Sequence, residues 1–331
     1  MRVTYHVYYL HDKVEDKLYK FGNKFDIKRV LDSLIREKIE VKRGFLLDDE
    51  FLYLVKEEPK IAPDTFFFII TRDSELIKSI DKELSVQDIR KKLDTDNEEQ
   101  IGIGSFVYTA LMNNHPILAF STQLLSPKIN LFWNFINEYL KKKGLDKRYE
   151  IIGHPVMAKA EVDELMRMDV VGKTSMVVGT KHGRVYAFNE FLGKQMKLDN
   201  IDNFEITITP KRGKSIKDAM PDLSAIAKDP DTVKLTAKAK GEAYATLTEL
   251  YIVGSGTLGN DINPTERTSV KVRDAIGTKM RDNISLGKKV AEFYSGVEFS
   301  NINSKTDLPE EFKESFAEVK KDEKNDTGRE S

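Results

Sequence analysis

Basic side chains cluster in the second half of the chain, first between residues 211 and 217. This stretch, the basic corner, follows an alternating segment at residues 204–210 and contains four cations around Gly213: Lys211, Arg212, Lys214 and Lys217. Ammonium and guanidinium groups bind phosphate oxygens, and backbone N–H groups near a glycine and a helix start can add donors. The spacing therefore predicts a site of phosphate size.

A second basic stretch lies at residues 232–240, the lysine strand. Apolar and polar residues alternate in it, so one face of a β-strand is predicted to carry Lys234, Lys238 and Lys240, with Thr232 and Thr236 between them. Residues on one face of a strand repeat at about 7 Å, close to the spacing of phosphates along a nucleic-acid strand. Cations and hydroxyls suit phosphates better than base edges, which predicts binding to duplex DNA with little sequence preference. The alternative is a solvated sheet face whose lysines prevent edge pairing.

Motifs typical of catalysis or cofactor binding do not support an enzyme. Residues 254–259 fit G-x-G-x-x-G, but turn-forming residues follow where a dinucleotide site needs a helix. Asp32 with Glu40 and Lys42 fits the D…E-x-K pattern of metal-dependent nucleases only loosely. The chain has five histidines without metal-binding spacing and no cysteine. We expect no catalytic residues, no metal and no cofactor.

The elements around these residues indicate an α+β protein with mixed or antiparallel sheets and flanking helices. The 331 residues favour two domains. We place an N-terminal α+β domain at 1–147, a C-terminal α+β domain with the basic hairpin at 148–300, and a charged, partly disordered tail at 301–331. The pattern predicts helices over 26–38, 85–93, 127–143 (capped by Ser126), 161–168, 215–227 and 268–290, and a hairpin of 106–111 with 117–122.

Bulk properties give little support for nucleic-acid binding outside these local clusters. Lys and Arg total 53 against 54 Asp and Glu, so the net charge is −1. The first residues are typical of a strand and not of a signal peptide, and no apolar run reaches the roughly 20 residues of a membrane span. We therefore expect a cytoplasmic protein. In the tail, Phe312, Phe316 and Val319 form an apolar stripe that packs on its own domain or docks on a partner.

Four segments together resemble the RexA family of phage-exclusion proteins. Residues 165–174 contain a methionine-rich turn followed by an aliphatic–Gly–basic–Thr string. Residues 206–217 contain a strand that is followed by a Pro-Lys corner. Residues 237–251 carry an Ala-Lys pair and Leu-Thr-Glu in the returning strand, and residues 280–284 match the closing helix.

The resemblance implies a two-domain homodimer, or a higher homo-oligomer, that binds DNA with little sequence preference. It also implies an architecture like that of the RdgC proteins. Such proteins are thought to sense phage DNA or DNA–protein complexes and to activate a small integral-membrane partner, RexB, which would recruit them to the inner face of the membrane. By position, the basic family sites match Lys173, Lys211, Lys214, Lys217 and Lys238. The local pattern adds Arg212, Lys234 and Lys240.

The sequence thus predicts a non-enzymatic DNA-binding protein of phage defence. One alternative is the soluble component of a Kiwa-type membrane-associated defence complex, acting mainly through protein–protein contact. The other is the metal-dependent nuclease.

Overall fold

The computed structural model describes residues 1–37, 51–72, 78–80, 86–88, 101–160, 162–179, 203–227, 232–241, 247–254, 256–265, 267–301 and 307–317. Within these ranges the protein is α+β, as predicted, and its strand pairings are antiparallel. The strands are β1 (Arg2–Asp12), β2 (Lys17–Lys20), β3 (Leu52–Val55), β4 (Thr65–Arg72), β5 (Lys78–Ile80), β6 (Val86–Asp88), β7 (Ile101–Met112), β8 (His115–Thr122), β9 (Tyr149–Pro155), β10 (Val170–Gly179), β11 (Asn203–Ile208), β12 (Thr232–Lys240), β13 (Thr248–Val253) and β14 (Gly259–Asp261).

A large eight-stranded sheet is organised around β1. Its order is β14-β1-β8-β7-β4-β3, and β2 and β9 also pair with β1. Strands β8 and β2 follow one another along one edge of β1, and β14 and β9 along the other. Alternate residues of β1 enter opposite cores, because side chains of a strand alternate between its faces. Because both faces are covered, β1 is buried or partly buried from Val3 to Asp12, and its polar residues His6 and Asp12 are enclosed as well.

Helices cover both faces of the large sheet. On one face lie α1 (Ile27–Arg36), α2 (Ile129–Lys142) and the short α7 (Glu310–Glu314); on the other lie α5 (Ser269–Asp282) and α6 (Ile284–Gly296). Asp26 caps α1 by accepting from Lys28 N. The first turn of α5 is capped from a distant segment, since Ser269 N and Val270 N donate to the carboxylates of Glu57 and Glu58.

A smaller sheet of order β11-β10-β12-β13 carries the predicted basic residues. Helix α4 (Met220–Ala227) covers one of its faces, where Met220 and Leu223 join Ala237 and Leu250 in the core. The short helix α3 (Val162–Met166) lies beside α4. The other face of this sheet carries most of its polar side chains.

The linking segment, residues 156–160, connects the two sheets through backbone hydrogen bonds. Val156 N donates to Tyr5 O of β1 at 2.9 Å. Two residues later, Ala158 O accepts from Tyr251 N of β13 at 2.6 Å, and Ala160 N donates to Tyr251 O at 2.7 Å. The segment therefore fixes the edge of the small sheet relative to β1. The predicted division after residue 147 stays a prediction, although strands from both sides of it pair in the large sheet.

Most predicted elements are present, with four corrections. The hairpin of β7 and β8 is confirmed, and Asn113 and Asn114 form its two-residue turn with positive φ. Ser126 does not cap α2; its hydroxyl donates to Gln123 O, and the helix starts after Lys128. The predicted helix over 85–93 is wrong at Val86–Asp88, which forms β6. Residues 217–219 form a 3-10 turn before α4, which shortens the predicted helix over 215–227.

The fourth correction concerns the predicted helix over 268–290. It breaks at Asn283, whose side chain accepts from Leu286 N and caps α6. In the tail, Phe312 and Phe316 are buried against Phe21, Phe25 and Tyr149, so this part of the apolar stripe packs on its own protein. Val319 and residues 318–331 lie outside the described residues.

Burial of His6 at the centre of β1 predicts a pH-dependent stability. Desolvation lowers the pKa of His6 from 6.5 to about 4, so the folded protein holds this imidazole neutral while the unfolded chain protonates it. The contribution of neutral His6 to the free energy of unfolding should be fully present above about pH 6.5. It should be lost as the pH drops towards 4, by up to about 1.4 kcal/mol per pH unit. His6→Gln should reduce that slope in urea unfolding measured across the window. His11→Gln, at a partly exposed position, is the control; a His6→Gln profile parallel to that of the unchanged protein would contradict the assignment.

Candidate nucleic-acid interface

The basic corner is held against the start of β10. Ser215 Oγ accepts from Val171 N at 2.9 Å, and Ile216 N donates to Val171 O at 2.9 Å. Before this anchor the chain turns tightly, with Lys214 N donating to Lys211 O and Gly213 at φ +73°. A left-handed backbone of this kind favours glycine, which explains Gly213 at this position. The corner is therefore positioned by backbone contacts and not by its own basic side chains.

These contacts change the kind of phosphate site that the corner offers. The N–H groups of Lys214, Ile216 and Lys217 all donate within the protein, Lys217 N to Ser215 Oγ at 3.2 Å. The predicted contribution of backbone donors is therefore not supported at these three residues. The side chains of Lys211, Arg212 and Lys214 are exposed, and that of Lys217 is half-buried. Phosphate recognition here would depend on mobile side-chain cations.

Lys173, Lys238 and Lys240 lie at the same end of the small sheet as the corner. Lys173 is exposed in an irregularity of β10, where Gly172 and Lys173 lie between pairs that enclose a single residue of β12, Lys238. Lys240 pairs with Val170, directly before the residue that anchors the corner. We call this group the basic end; its members are Lys173, Lys211, Arg212, Lys214, Lys217, Lys238 and Lys240.

The predicted alternation of β12 holds only in part. Leu235, Ala237 and Ala239 are buried on the apolar face, as expected, but Thr232 and Thr236, predicted between the lysines on the polar face, are buried too. Val233 is 59% exposed, because the register with β10 shifts between Lys234 and Thr232 and leaves Val233 outside the ladder. A bulge of this kind reverses the alternation locally, and the sequence pattern alone does not reveal it.

Lys234 is separated from the basic end. Its ammonium lies 5.0 Å from the centroid of the Tyr251 ring, and its side chain is half-buried. Along the strand, four residues, about 13 Å, separate it from Lys238, and six residues, about 20 Å, separate it from Lys240. A cation held over an aromatic face contributes to packing, so this lysine has a structural role that its spacing does not show.

The exposed face also contains acidic and hydroxyl groups. Glu249 lies opposite Lys238, and Glu205 opposite Val177. Glu249 also lies 3.9 Å from Arg2 of β1. Arg2 therefore adds positive charge near this face, and sequence reasoning missed it because it is remote in the chain and no local pattern marks it. The positive charge is concentrated at one end of the sheet and does not run along the whole lysine strand.

Six cations of the basic end, all except Lys240, form no ion pair with a carboxylate of the described ranges. No carboxylate of these ranges lies within 4.0 Å of Lys173, Lys211, Arg212, Lys214, Lys217 or Lys238. Unpaired cations attract polyanions more strongly than cations whose charge a neighbouring carboxylate balances.

The other candidate motifs have different surroundings. After Gly254, at φ +79°, the chain enters β14 at Gly259, so the G-x-G-x-x-G string is followed by a strand and not by a helix. Asp32 is on α1 and forms an ion pair with Lys56, while Glu40 and Lys42 lie outside the described residues. In the described part of the chain, no group of three or more His, Asp or Glu side chains is arranged to hold a metal ion. No helix in the same ranges combines the length and apolarity of a membrane span.

Comparison with known proteins assigns the chain to a family. No curated protein sequence matches the chain. The family model of RexA, described as "Intracellular sensor of Lambda phage, Abi component", matches residues 1–247. The matched range contains β1–β12 and every residue of the basic end, whereas α5 and α6 follow it. Because the match covers more than half of the 331 residues, the chain belongs to the RexA family, whose general role is phage exclusion.

Proposed function

We propose that this protein is a non-enzymatic sensor that binds duplex DNA through its phosphates with little sequence preference. The observation that carries the proposal is the convergence of Lys173, the basic corner and the C-terminal end of β12 at one end of the small sheet. These residues come from three separate parts of the chain, and all lie within the range that matches the family. A strongly positive patch on a protein of net charge −1 indicates an anionic partner.

The chemistry of the patch favours phosphates over bases. Its exposed groups are lysines and one arginine, which bind phosphate oxygens and give affinity without sequence information. An aromatic residue, Tyr251, does lie on the same face, but it is only 9% exposed and Lys234 covers its ring. Base stacking, which single-strand binders use, is therefore not supported at Tyr251.

We extend the proposal to assembly and signalling on the basis of family membership. The protein would act as a homodimer of RdgC-like architecture, so that two basic ends contact one duplex. Binding of phage DNA or a DNA–protein complex would then activate a small integral-membrane partner, which recruits the protein to the membrane. The protein itself would perform no chemistry on the DNA.

Charge reversal at the corner should weaken DNA binding and its dependence on salt. The variant Lys211→Glu/Arg212→Glu/Lys214→Glu should lose roughly 100-fold or more in affinity for a duplex at moderate salt. The slope of log K against log salt should decrease by about 3, one for each lost phosphate contact. A gel-shift or fluorescence-anisotropy series across salt concentrations measures both quantities.

The matched control reverses three exposed lysines of the large-sheet region, Lys24→Glu/Lys60→Glu/Lys147→Glu. This control changes the net charge by the same amount but leaves the basic end intact. Equal losses in the two variants would show that only net charge matters, and an unchanged affinity of the corner variant would exclude this surface.

Lys234 and Lys238 should differ although both are lysines of the same strand. Lys234→Ala removes the contact with Tyr251 and should lower the free energy of unfolding by about 0.5–1 kcal/mol, with little change in DNA affinity. Lys238→Ala should leave unfolding unchanged within about 0.5 kcal/mol and weaken duplex binding. Urea unfolding and the same DNA assay test this pair. The reverse pattern would show that Lys234, and not Lys238, faces the DNA.

A further inference from the structure

Two leucines project into solvent from a tight turn after β8, an inner strand of the large sheet. Leu124 is 89% exposed and Leu125 is 61% exposed, between the end of β8 and the start of α2. We call residues 123–126 the leucine turn. Single exposed apolar residues are common on proteins, but two adjacent leucines at this level of exposure present a continuous apolar tip.

The backbone of the turn is closed by its own polar residues. Ser126 N donates to Gln123 O at 3.2 Å, and Ser126 Oγ donates to the same oxygen at 2.9 Å. The side chain of Gln123 donates to Gly104 O of β7 at 3.0 Å. The tip is therefore held firmly by contacts that do not involve the leucine side chains.

The conformation of Leu125 is unfavourable for a leucine. Its φ of +66° lies in the left-handed region, which asparagine and glycine adopt readily and leucine adopts rarely. Folding alone would favour a small or polar residue at this position, both for the backbone and for solubility. Neither the backbone conformation nor solubility therefore accounts for a leucine at this position.

The charges around the turn indicate the chemistry of a ligand for its leucines. Lys128 is exposed three residues beyond Leu125, and the exposed Arg267 donates to Gln123 Oε1 at 3.4 Å. Arg2 pairs with Thr122 at the end of β8, and the N-terminal ammonium donates to Ile262 O beside it. Asp261 and Glu249 are the acidic residues next to Arg2. Lys128 and Arg267 are thus the exposed cations that flank the leucines, while Glu57 and Glu58 lie at the start of α5, where they accept from Ser269 and Val270, close in sequence to Arg267.

We infer that the leucine turn inserts into the surface of an anionic lipid bilayer. Its two leucines would enter the boundary between head groups and acyl chains, while Lys128 and Arg267 contact lipid phosphates, the arrangement that interfacial membrane-binding segments use. The leucines, Lys128 and Arg267 are not members of the basic end, and the proposed contact does not depend on DNA binding. It gives the protein its own affinity for the membrane surface, without a partner protein.

Vesicle sedimentation with the full-length protein tests the inference. The unchanged protein should sediment with vesicles of equimolar phosphatidylcholine and phosphatidylglycerol, and much less with phosphatidylcholine alone. Leu124→Asn/Leu125→Asn should reduce sedimentation roughly 10-fold or more. Because asparagine tolerates positive φ, the melting temperature of this variant should be unchanged or higher, so a loss of binding cannot be attributed to unfolding.

Two further variants test whether binding is specific to the leucine turn and whether its basic neighbours contribute. Val14→Asn removes another strongly exposed apolar side chain, 70% exposed beyond the opposite end of β1, and should sediment like the unchanged protein. Lys128→Ala/Arg267→Ala should weaken binding to the anionic vesicles. The inference would be overturned if the unchanged protein did not sediment with anionic vesicles, or if the double asparagine variant sedimented as fully as the unchanged protein. It would also be overturned if the double asparagine variant lost affinity for duplex DNA but still bound vesicles. That result would indicate that the leucines insert between DNA bases instead.

Discussion

The architecture depends on the hydrogen-bonding of β1 along both of its edges. Along one edge, β1 pairs first with β8 and then with β2. Between these two strands, the hydroxyl of Tyr294 from α6 accepts from the backbone N–H of Tyr8 and donates to its C=O. On the other edge the pairing passes from β14 to β9, and Tyr5 joins them by bonding Leu258 and Val156. Buried backbone groups are costly when unpaired, so β1 forces segments from distant parts of the chain into one arrangement. The linking segment carries this arrangement to the small sheet, and the cations of the basic end acquire fixed positions from it.

The surface that results is cationic at one end and mixed elsewhere. The corner is anchored by Ser215 and Ile216, which leaves its basic side chains outside the hydrogen-bonded framework. Lys234, in contrast, is used to cover Tyr251. Similar lysines thus serve different purposes on one strand, and their environments decide which of them can meet a polyanion. A phosphate-directed surface of this kind fits the proposed binding of DNA with little sequence preference.

The sequence predicted the turns, helices and strand alternation that depend only on residues close together in the chain. The Asn113–Asn114 hairpin, helices α1 and α2 and the alternation of β12 from Leu235 to Ala239 follow from turn chemistry and apolar periodicity, and the structure contains them. The break at Asn283, the bulge that exposes Val233 and the approach of Arg2 to Glu249 depend on partners far away in sequence. Single-sequence reasoning has no access to such contacts. For the same reason it identified the basic residues but not that Lys234 stands apart from the others.

The central claim is that the basic end binds DNA, and lysine reactivity measures this directly on the unmutated protein. Acetylation of the lysines, followed by mass spectrometry with and without a duplex, reports which ammonium groups the DNA covers. The account predicts protection of Lys173, Lys211, Lys214 and Lys238, and unchanged labelling of Lys24, Lys60 and Lys147. Equal labelling of the basic end with and without saturating duplex, or protection at the three distant lysines instead, would contradict it.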